Sequence, residues 1–255
     1  MTGHIDVATA NVLCTLGHDD ARNALAGVLE LAPDLVGLQE WYPSRYRLLQ
    51  QTGRLGPVPQ LGERLRRGDS APTVDYLWNA PLVGGCAVGA RADRFEMIQC
   101  RPRLLSWVGH ADRPDRWLGV EPPRVATFAV YRHLQADLTV CLVSYHLASG
   151  VQAGGRYRAD RPVLVSRHRR EVRNLERLVE EHHRLGQVVF AVGDSNFDGL
   201  RVAGLTSAWE GRDEASGTLG PRRKVDDVHG PGAAESVTLR TNESDHKAVV
   251  VRRPI

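Results

Sequence analysis

Residues 188–196 have the sequence VVFAVGDSN, an apolar run followed at once by the polar segment Asp194–Asn196. The apolar run predicts a buried strand. A second polar segment, Ser244–His246 (SDH), stands just before another apolar run, Ala248–Val251. A carboxylate at the mouth of a buried strand is costly unless a partner compensates its charge, and metal binding or catalysis is a common reason to keep it. The two segments therefore predict a functional site at strand ends.

The same arrangement recurs along the chain, since other predicted strands also end in one acid, amide or imidazole. Asn11 ends a strand predicted over 5–12, Glu40 ends one over 34–40, and His146 follows one over 138–145. The polar residues at predicted strand ends are Asn11, Glu40, His146, Asp194, Asn196, Asp226, Asp245 and His246. Each alone has a structural explanation, such as a turn cap for Asn11. Their recurrence at one kind of position indicates a single constellation.

The residue types in this set restrict its chemistry. Carboxylate and amide oxygens suit Mg²⁺ or Mn²⁺, and two histidines beside carboxylates suit proton transfer. Zinc is disfavoured because no His or Cys pair has a tight ligand spacing. The chain has neither the G-x-S-x-G motif of a serine hydrolase nor a glycine-rich nucleotide loop. With a mildly basic net charge of +3, the set indicates hydrolysis of phosphate esters.

The order of predicted elements indicates a mixed α/β fold. Helices are expected from an N-cap at Asp19 or Asp20 to a stop at Pro33, over 44–51, and from Pro162 to about His183. Strands are expected over 5–12, 34–40, 82–90, 96–100, 124–131, 138–145, 188–192, 224–228, 236–239 and 248–251. The pair 82–90 and 96–100 resembles a hairpin, and 52–72 and 103–123 are expected to be irregular. Hairpins mixed with helices between strands favour an α/β sandwich over a purely parallel sheet.

Bulk properties set the expected class of protein. With 255 residues, 42% of them hydrophobic, and no long linker, the chain is expected to form one domain over 1–255. The N-terminus lacks the features of a signal peptide, and no apolar run approaches the roughly 18 residues that span a bilayer. A cytoplasmic protein without a membrane span is therefore expected. Its four widely spaced cysteines are expected to be free, buried thiols: Cys14, Cys86, Cys100 and Cys141.

Six short motifs in this order resemble those of the endonuclease/exonuclease/phosphatase superfamily, to which deoxyribonuclease I belongs. The motifs are Thr9-Ala10-Asn11, Leu38-Gln39-Glu40, Tyr145-His146-Leu147, Gly193-Asp194-Ser195-Asn196, Val225-Asp226 and Ser244-Asp245-His246. Each is weak alone, but six in register across almost the whole chain are specific. The resemblance implies a four-layered α/β sandwich, in which two mainly antiparallel or mixed sheets pack face to face between helices. It also implies Mg²⁺-dependent hydrolysis of a phosphodiester or phosphomonoester, with Mn²⁺ as the alternative ion.

The resemblance also implies a role for each motif residue. Glu40 would be the principal metal ligand, with Asn11 beside it and Asp245 near the metal. Asp194 would orient or deprotonate the attacking water, and Asn196 would contact the phosphate or hold that water. His246 would contact the phosphate while paired with an acid, for which the register favours Asp226 over Asp227. His146 would be a second imidazole on the phosphate, and its orienting acid is left open among Glu63, Asp75 and Glu96.

Three classes of function remain open at this level. The favoured one is a monomeric nuclease, because arginine-rich segments at 52–72 and 155–170 suit a nucleic-acid substrate. The second keeps the reaction but takes a small phosphorylated molecule or a phospholipid headgroup. The third is a catalytically silent binding module. The arginines of the helix after Pro162 are expected mostly on a solvated face: Arg167, Arg169, Arg170, Arg173 and Arg177.

Overall fold

Two mixed β-sheets packed face to face form the centre of the protein. The computed structural model describes residues 3–55, 75–113, 119–213 and 216–255. In spatial order, sheet A consists of β15 (Ser236–Arg240), β16 (Ala248–Pro254), β1 (His4–Asn11), β2 (Leu35–Gln39), β5 (Ala87–Arg91), β4 (Tyr76–Asn79) and β3 (Gly53–Leu55). Sheet B consists of β14 (Asp226–His229), β13 (Val188–Asp194), β10 (Thr139–His146), β9 (Arg124–His133) and β6 (Phe95–Ser106). Both sheets combine antiparallel pairs with parallel ones, which are β1 with β2 and β3 with β4 in sheet A and β10 with β13 in sheet B.

Helices cover the outer face of each sheet. On sheet A lie α1 (His18–Leu29), a 3₁₀ turn (Pro43–Arg45) and α2 (Tyr46–Thr52), and on sheet B lies α3 (Pro162–Arg184). Two short pairs complete the described elements: β7 (Gly109–His110) with β8 (Val120–Glu121), and β11 (Gln152–Ala153) with β12 (Arg156–Tyr157). No helix in the described ranges is long and apolar enough to cross a membrane.

Three apolar layers hold this arrangement together. Alternate residues of the strands face the space between the sheets, where side chains such as Val7, Leu142 and Val192 are buried. The opposite faces pack against the helices, with Trp41 and Trp78 under α1 and α2, and Val143 under α3. The order of layers is thus helix, sheet, sheet, helix. This confirms the predicted four-layered α/β sandwich.

The predicted hairpin of 82–90 and 96–100 is wrong. β5 pairs with β2 and β4 in sheet A, whereas β6 pairs with β9 in sheet B. β5 has a hydrogen-bonded neighbour on each side, so it offers no free edge to β6. The chain instead crosses between the sheets after Arg91, and Phe95 enters the core between them. β6 also extends to Ser106, into a segment predicted to be irregular.

Smaller differences from the predictions have local causes. Helix α1 begins after Gly17 without a side-chain cap, so neither Asp19 nor Asp20 is its N-cap. Within the predicted loop 52–72, Gly53–Leu55 forms a strand beside β4, while 56–72 lies outside the described residues. The four cysteines are free, as predicted, but Cys14 is exposed and Cys100 is only half-buried.

Gly37 allows the two sheets to approach closely. A Cβ atom at this position would lie 2.2 Å from a methyl group of Val192 and 3.3 Å from the side chain of Ser144. We expect Gly37→Ala to lower Tm by roughly 5 °C or more, because overpacking between rigid layers is destabilising. Gly27→Ala is the matched control in thermal melts. Its Cβ would meet no heavy atom closer than 3.9 Å, and alanine favours the helix, so its Tm should rise slightly.

Candidate active site

The ends of four strands meet at one edge of the sandwich. Strands β1 and β2 run parallel with Asn11 opposite Gln39, so Asn11 lies beside Glu40, the residue that follows β2. Strands β10 and β13 also run parallel, with His146 directly opposite Asp194. Because the carboxyl ends of parallel strands share an edge, each pair delivers its polar residues to the same place.

The remaining predicted residues reach this edge from antiparallel neighbours and loops. Asp226 begins β14 directly opposite Asp194, and Asn196 lies two residues beyond the end of β13. Asp245 and His246 lie in the loop that leads into β16. The structure therefore brings all eight predicted site residues to one edge of the two sheets.

Asp194 is the centre of this cluster. Its side chain is buried, and its Oδ2 atom accepts hydrogen bonds from Nδ2 of Asn11 at 3.0 Å and Nδ2 of Asn196 at 3.2 Å. The Nε2 atoms of His146 and His246 lie 3.5 Å and 4.0 Å from the same oxygen. One carboxylate oxygen thus faces two imidazoles and two amides contributed by both sheets.

His246 is paired with Asp226. The Nδ1 atom of His246 lies 2.7 Å from Oδ2 of Asp226, so Nδ1–H donates to the carboxylate and Nε2 points toward Asp194. Asp227 points away from the site, where its carboxylate accepts hydrogen bonds from Ser207 Oγ and the Ala208 amide. The register of β14 therefore separates two adjacent acids onto opposite faces of the sheet.

None of the acids considered for orienting His146 lies beside it in the described structure. Glu96 is opposite Arg132 and is ion-paired with it, at the edge of sheet B away from His146. Asp75 immediately precedes β4, at the edge of sheet A away from Glu40. Glu63 lies outside the described residues.

The predicted metal ligands surround the loop that follows β1. Oε2 of Glu40 accepts a hydrogen bond from the Cys14 amide at 2.8 Å. Ser244 Oγ accepts one from the Leu13 amide at 3.2 Å and donates to the exposed Asp245 at 3.3 Å. The consecutive amides of Leu13 and Cys14 therefore bond to Ser244 and Glu40, and they bring the loop that contains Asp245 close to Glu40.

Two site residues have strained backbone. Glu40 and Asn196 have φ values of 57° and 52°, and they are two of the three non-glycine residues with positive φ in the described ranges. Such residues cost about 1–3 kcal/mol each and concentrate at functional sites. At Asn196 the strain is compensated locally, because its amide N–H donates to Oδ1 of Asp194 at 2.7 Å.

Two buried acceptors at the site have no hydrogen-bond partner among the described residues. They are Oδ1 of Asn11 and Oδ1 of Asp226. A buried oxygen without a donor is unfavourable unless water or a cation satisfies it. Separately, ligand atoms of Asp194, Asp226 and His246 lie within 4.8 Å of one another, which makes a second group able to hold a cation.

Electrostatics within the cluster shift two pKa values. Burial and the nearby charge of Asp226 raise the pKa of the Asp194 carboxyl to about 7, against the opposing effect of His246. For His246, burial favours the neutral ring, but the hydrogen bond and charge of Asp226 and the charge of Asp194 outweigh it and raise the pKa to about 9. Near neutral pH, His246 is therefore a cation, and the neighbouring Asp194 carboxyl gains or loses its proton in that pH range.

Several supporting residues lack a motif that could have predicted them. Arg45 is buried and donates to three carbonyl groups of the loop after β1, those of Val12, Leu13 and Leu16, at 2.7–3.0 Å. His168 of α3 lies with Nε2 2.8 Å from the carbonyl oxygen of Ser195. These contacts fix the backbone on both sides of the cluster.

The arginines of α3 lie mostly on its exposed face, as predicted, but Arg167 is the exception. It is buried against Glu171, with Nε 2.9 Å from Oε1 of that acid. Glu171 also accepts a hydrogen bond from the Ala148 amide at 2.8 Å, two residues beyond His146. The i,i+4 spacing of Arg167 and Glu171 was the one signal in the sequence for this pair.

Comparisons with known proteins concern the whole chain. No family model and no curated protein matches it. Solved structures do match at low identity. An endonuclease/exonuclease/phosphatase family protein from Bacteroides thetaiotaomicron has 15% identity and a TM-score of 0.64, covering 100% of this chain and 99% of that one.

Two further structures are similar over nearly their full length. D. rerio TDP2, complexed with a single-strand DNA product, has 16% identity and a TM-score of 0.63, with 98% of each chain covered. The mannosyl-6-phosphatase of Bacteroides thetaiotaomicron has 15% identity and a TM-score of 0.64, covering 98% of this chain and 99% of that one. The chain therefore has the same fold as these endonuclease/exonuclease/phosphatase proteins, which confirms the fold that its six motifs imply.

Proposed function

We propose that the protein is a divalent-metal-dependent phosphoesterase that hydrolyses phosphodiester bonds in nucleic acid. One observation carries the proposal, the convergence of two imidazole Nε2 atoms and two side-chain amides on a single buried oxygen of Asp194. A base surrounded by cationic and neutral donors suits attack of water on an anionic phosphate.

Glu40 and Asn11 would hold the divalent cation, with Asp245 beside them. Carboxylate and amide oxygens are the ligands that Mg²⁺ and Mn²⁺ prefer, and the unpartnered Oδ1 of Asn11 fits this assignment. The group of Asp194, Asp226 and His246 fits less well, since the 2.7 Å hydrogen bond between Asp226 and His246 would have to break. When bound, the cation supplies Lewis-acid polarisation of the phosphoryl group.

Asp194 is assigned the role of general base. A carboxylate whose pKa lies near 7 accepts a proton from water far better than one with a pKa near 4. The water oxygen then forms the new bond to phosphorus while its proton moves to Asp194. The hydrogen bonds from Asn11 and Asn196 keep the carboxylate in one orientation during this transfer.

His246 and His146 are assigned to the phosphate. His246, held cationic by Asp226, donates from Nε2 to a phosphoryl oxygen and stabilises the charge that develops there. His146 occupies the matching position on the other side of Asp194 and donates a proton to the leaving oxygen as its bond to phosphorus breaks. The products are an alcohol and a phosphate ester that has gained the hydroxyl group.

The choice of nucleic acid as substrate has separate support. Arg156, Arg169, Arg170 and Arg173 form an exposed basic region at the start of α3 and in the hairpin before it. Arginine clusters bind phosphate backbones. One structure with this fold contains a single-strand DNA product and another is a mannosyl-6-phosphatase, so the fold accepts both polymeric and small substrates.

A substrate panel tests the proposal. Purified protein with Mg²⁺, Mn²⁺ or EDTA is offered plasmid, single-stranded DNA, RNA and a set of phosphomonoesters, including sugar phosphates. Metal-dependent cleavage of nucleic acid is the expected result. Release of phosphate from small molecules alone would change the substrate class to a phosphatase. Binding of nucleic acid without turnover on any substrate would make the protein a binding module.

Metal affinity provides a second prediction. We expect Glu40→Gln to weaken Mn²⁺ binding roughly tenfold or more, because it removes the negative charge of the principal ligand in an oxygen-only site. Asp226→Asn should leave Mn²⁺ affinity within about threefold, because Asp226 is paired with His246. Isothermal titration of the metal-free proteins measures both. The reverse pattern would assign the cation to the group of Asp194, Asp226 and His246.

A further inference from the structure

The N-terminal half of α3 carries a basic surface that the proposed chemistry does not use. Arg169, Arg170 and Arg173 are exposed there and constitute what we call the arginine face. We propose that this face, together with the aromatic residues on either side of it, binds a single strand of nucleic acid and leads it to the active site. The inference rests on the proposed function and names the form of its substrate.

No acid among the described residues neutralises the charge of Arg170 or Arg173 on the arginine face. Arg170 and Arg173 have no ion-pair partner among the described residues, while Arg169 lies over the ring of Tyr157 at 4.7 Å. Further along α3 the situation differs, since Arg184 is paired with Glu180 at 2.8 Å. Uncompensated arginines on one helix face repel each other unless an anion covers them.

Two grooves run along the two sides of the arginine face. One, of about 430 Å³, includes Tyr157, Arg169 and Arg173 in its lining. The other, of about 770 Å³, includes Trp107 and Arg170. Pro162 and Ser166 line both, so the grooves meet on α3.

The linings of these grooves favour an anionic ligand. Among the described lining residues of either groove there is no aspartate or glutamate. Arg158 is the one lining arginine paired with a nearby exposed acid, Asp160 at 2.6 Å, and the buried Arg167 is paired with Glu171. The exposed guanidinium groups of Arg170 and Arg173 thus face open grooves whose described lining contains positive side chains and no negative ones.

Trp107 provides a surface for a base. Its side chain is 75% exposed, and its neighbours Val108 and Val163 are 59% and 52% exposed. An exposed tryptophan among arginines is the arrangement on which single-stranded nucleic acids stack their bases. A duplex keeps its bases stacked on each other, so this surface suits a single strand.

A chain of ring contacts joins the arginine face to the active site. Phe197 follows Asn196 directly and packs on Tyr157 with ring centroids 4.3 Å apart. Tyr157 in turn lies under Arg169. Gln152 fastens this hairpin to the active-site loop, because its side chain bonds the Asn196 carbonyl at 3.3 Å and the Asp198 amide at 3.1 Å. A strand on the arginine face is therefore in line with the cluster around Asp194.

Exposed apolar residues beside arginines also occur on proteins that bind anionic membranes. Two observations favour a nucleic-acid strand over a lipid surface. The arginines and Trp107 line concave grooves, whereas insertion into a bilayer requires a protruding surface. The ring contacts lead from the grooves to the loop of Asn196, where a phosphodiester is to be cleaved.

Binding in EDTA tests the inference without cleavage. Fluorescence anisotropy with a labelled single-stranded oligonucleotide of about 12 residues is compared between wild type and Arg170→Ala/Arg173→Ala. We expect at least tenfold weaker binding at moderate salt and a salt slope smaller by about 1.4, from two lost phosphate contacts. Trp107→Ala should weaken binding by about tenfold with an unchanged slope.

Arg47→Ala/Arg240→Ala is the charge-matched control. Both residues are exposed, on α2 and β15, and neither lines the two grooves beside α3, so binding should stay within twofold of wild type. Equal losses in the two double variants, or no binding by wild type, would overturn the inference. Capture by phosphatidylserine vesicles that depends on Trp107, without oligonucleotide binding, would overturn it in favour of a membrane surface.

A small substrate separates this inference from the proposed function. Turnover of bis(p-nitrophenyl) phosphate with Mn²⁺ should be the same in wild type and Arg170→Ala/Arg173→Ala, because neither arginine belongs to the Asp194 cluster. Strand binding without turnover of any phosphodiester would support the strand-binding surface and contradict the proposed phosphoesterase activity. Turnover together with strand binding that is equal in wild type and in Arg170→Ala/Arg173→Ala would support the phosphoesterase and contradict the strand-binding surface.

Discussion

Replacing Asp194 with asparagine is expected to lower kcat at least about a thousandfold, because the amide cannot accept the proton of the attacking water. The fold should survive. Asparagine has the same shape, and its oxygen can keep the bond that Oδ1 of Asp194 accepts from the Asn196 amide. Its NH2 group, in place of Oδ2, loses the bonds from the side chains of Asn11 and Asn196, so a modest decrease in Tm is expected. Burial raises the pKa of Asp194 to about 7, so above that pH the substitution also removes an unfavourable buried charge. Metal-dependent turnover and Tm at pH 8 measure the two effects separately.

The adjacent acid provides the control for this experiment. Asp227→Asn makes the same chemical change one residue after Asp226, on the face of β14 directed away from the site. It should reduce Tm, because Asp227 accepts hydrogen bonds from Ser207 and Ala208, while kcat stays close to wild type. More than a tenth of wild-type turnover in Asp194→Asn would rule out Asp194 as the base. Parallel losses of Tm and kcat in both variants would indicate a structural role.

The positions of the site residues could be predicted because apolar runs mark buried strands with little ambiguity. The runs before Asp194 and His146 are buried on both faces, so their ends are well defined and the polar residues there stand out. The parallel pairing of these two strands then brings the two residues opposite each other. The preference for Asp226 over Asp227 as the partner of His246 came from the position of Asp226 in its motif, and the hydrogen bond between Asp226 and His246 confirms it.

Other features depend on contacts between residues far apart in the chain. The assignment of β5 and β6 to different sheets depends on the neighbours that flank β5, and local spacing does not contain that information. Arg45 has the sequence context of a solvated helical arginine, yet it is buried because the carbonyls of the loop after β1 converge on it. The pattern of a single element is therefore a poor guide to buried charges.

The distribution of arginines on α3 illustrates the same limit. One face of the helix buries Arg167 against Glu171, while Arg170 and Arg173 remain exposed, although all three fall within two turns. Helical periodicity separates these faces only when the covered side is known. Here the covering elements are β6 and the segment after His146, which the sequence did not predict to lie over α3.

Asp226→Asn is expected to lower kcat by about a hundredfold or more and to change its pH dependence. Burial alone would keep His246 neutral, and the hydrogen bond and charge of Asp226 are what raise its pKa to about 9. Without them the pKa falls, so the ring loses its proton at a lower pH. The alkaline limb of kcat/KM, expected near pH 9 in wild type, should therefore move toward neutral pH.

The same pair links stability to pH. Because the pKa of His246 is raised in the folded protein, its contribution to stability is fully present below about pH 6.5 and is lost as pH rises through about 9. That contribution is about 3 kcal/mol at most. In EDTA, Asp226→Asn should thus have a lower Tm than wild type at pH 6, and the difference should shrink toward pH 9.5. At high pH, Asp226→Asn also removes the repulsion between Asp226 and Asp194, and this too makes the difference in Tm smaller.

An NMR titration of the metal-free protein isolates the cause. The His246 ring should titrate near pH 9 in wild type and in the control Asp227→Asn, and at clearly lower pH in Asp226→Asn. A shift of the alkaline limb without a matching shift of this resonance would assign the limb to another group. An unchanged His246 titration in Asp226→Asn would mean that the 2.7 Å hydrogen bond does not hold the ring as a cation. His246 would then contact the phosphate as a neutral donor, and the stabilisation of developing charge would have to come from the metal side and His146.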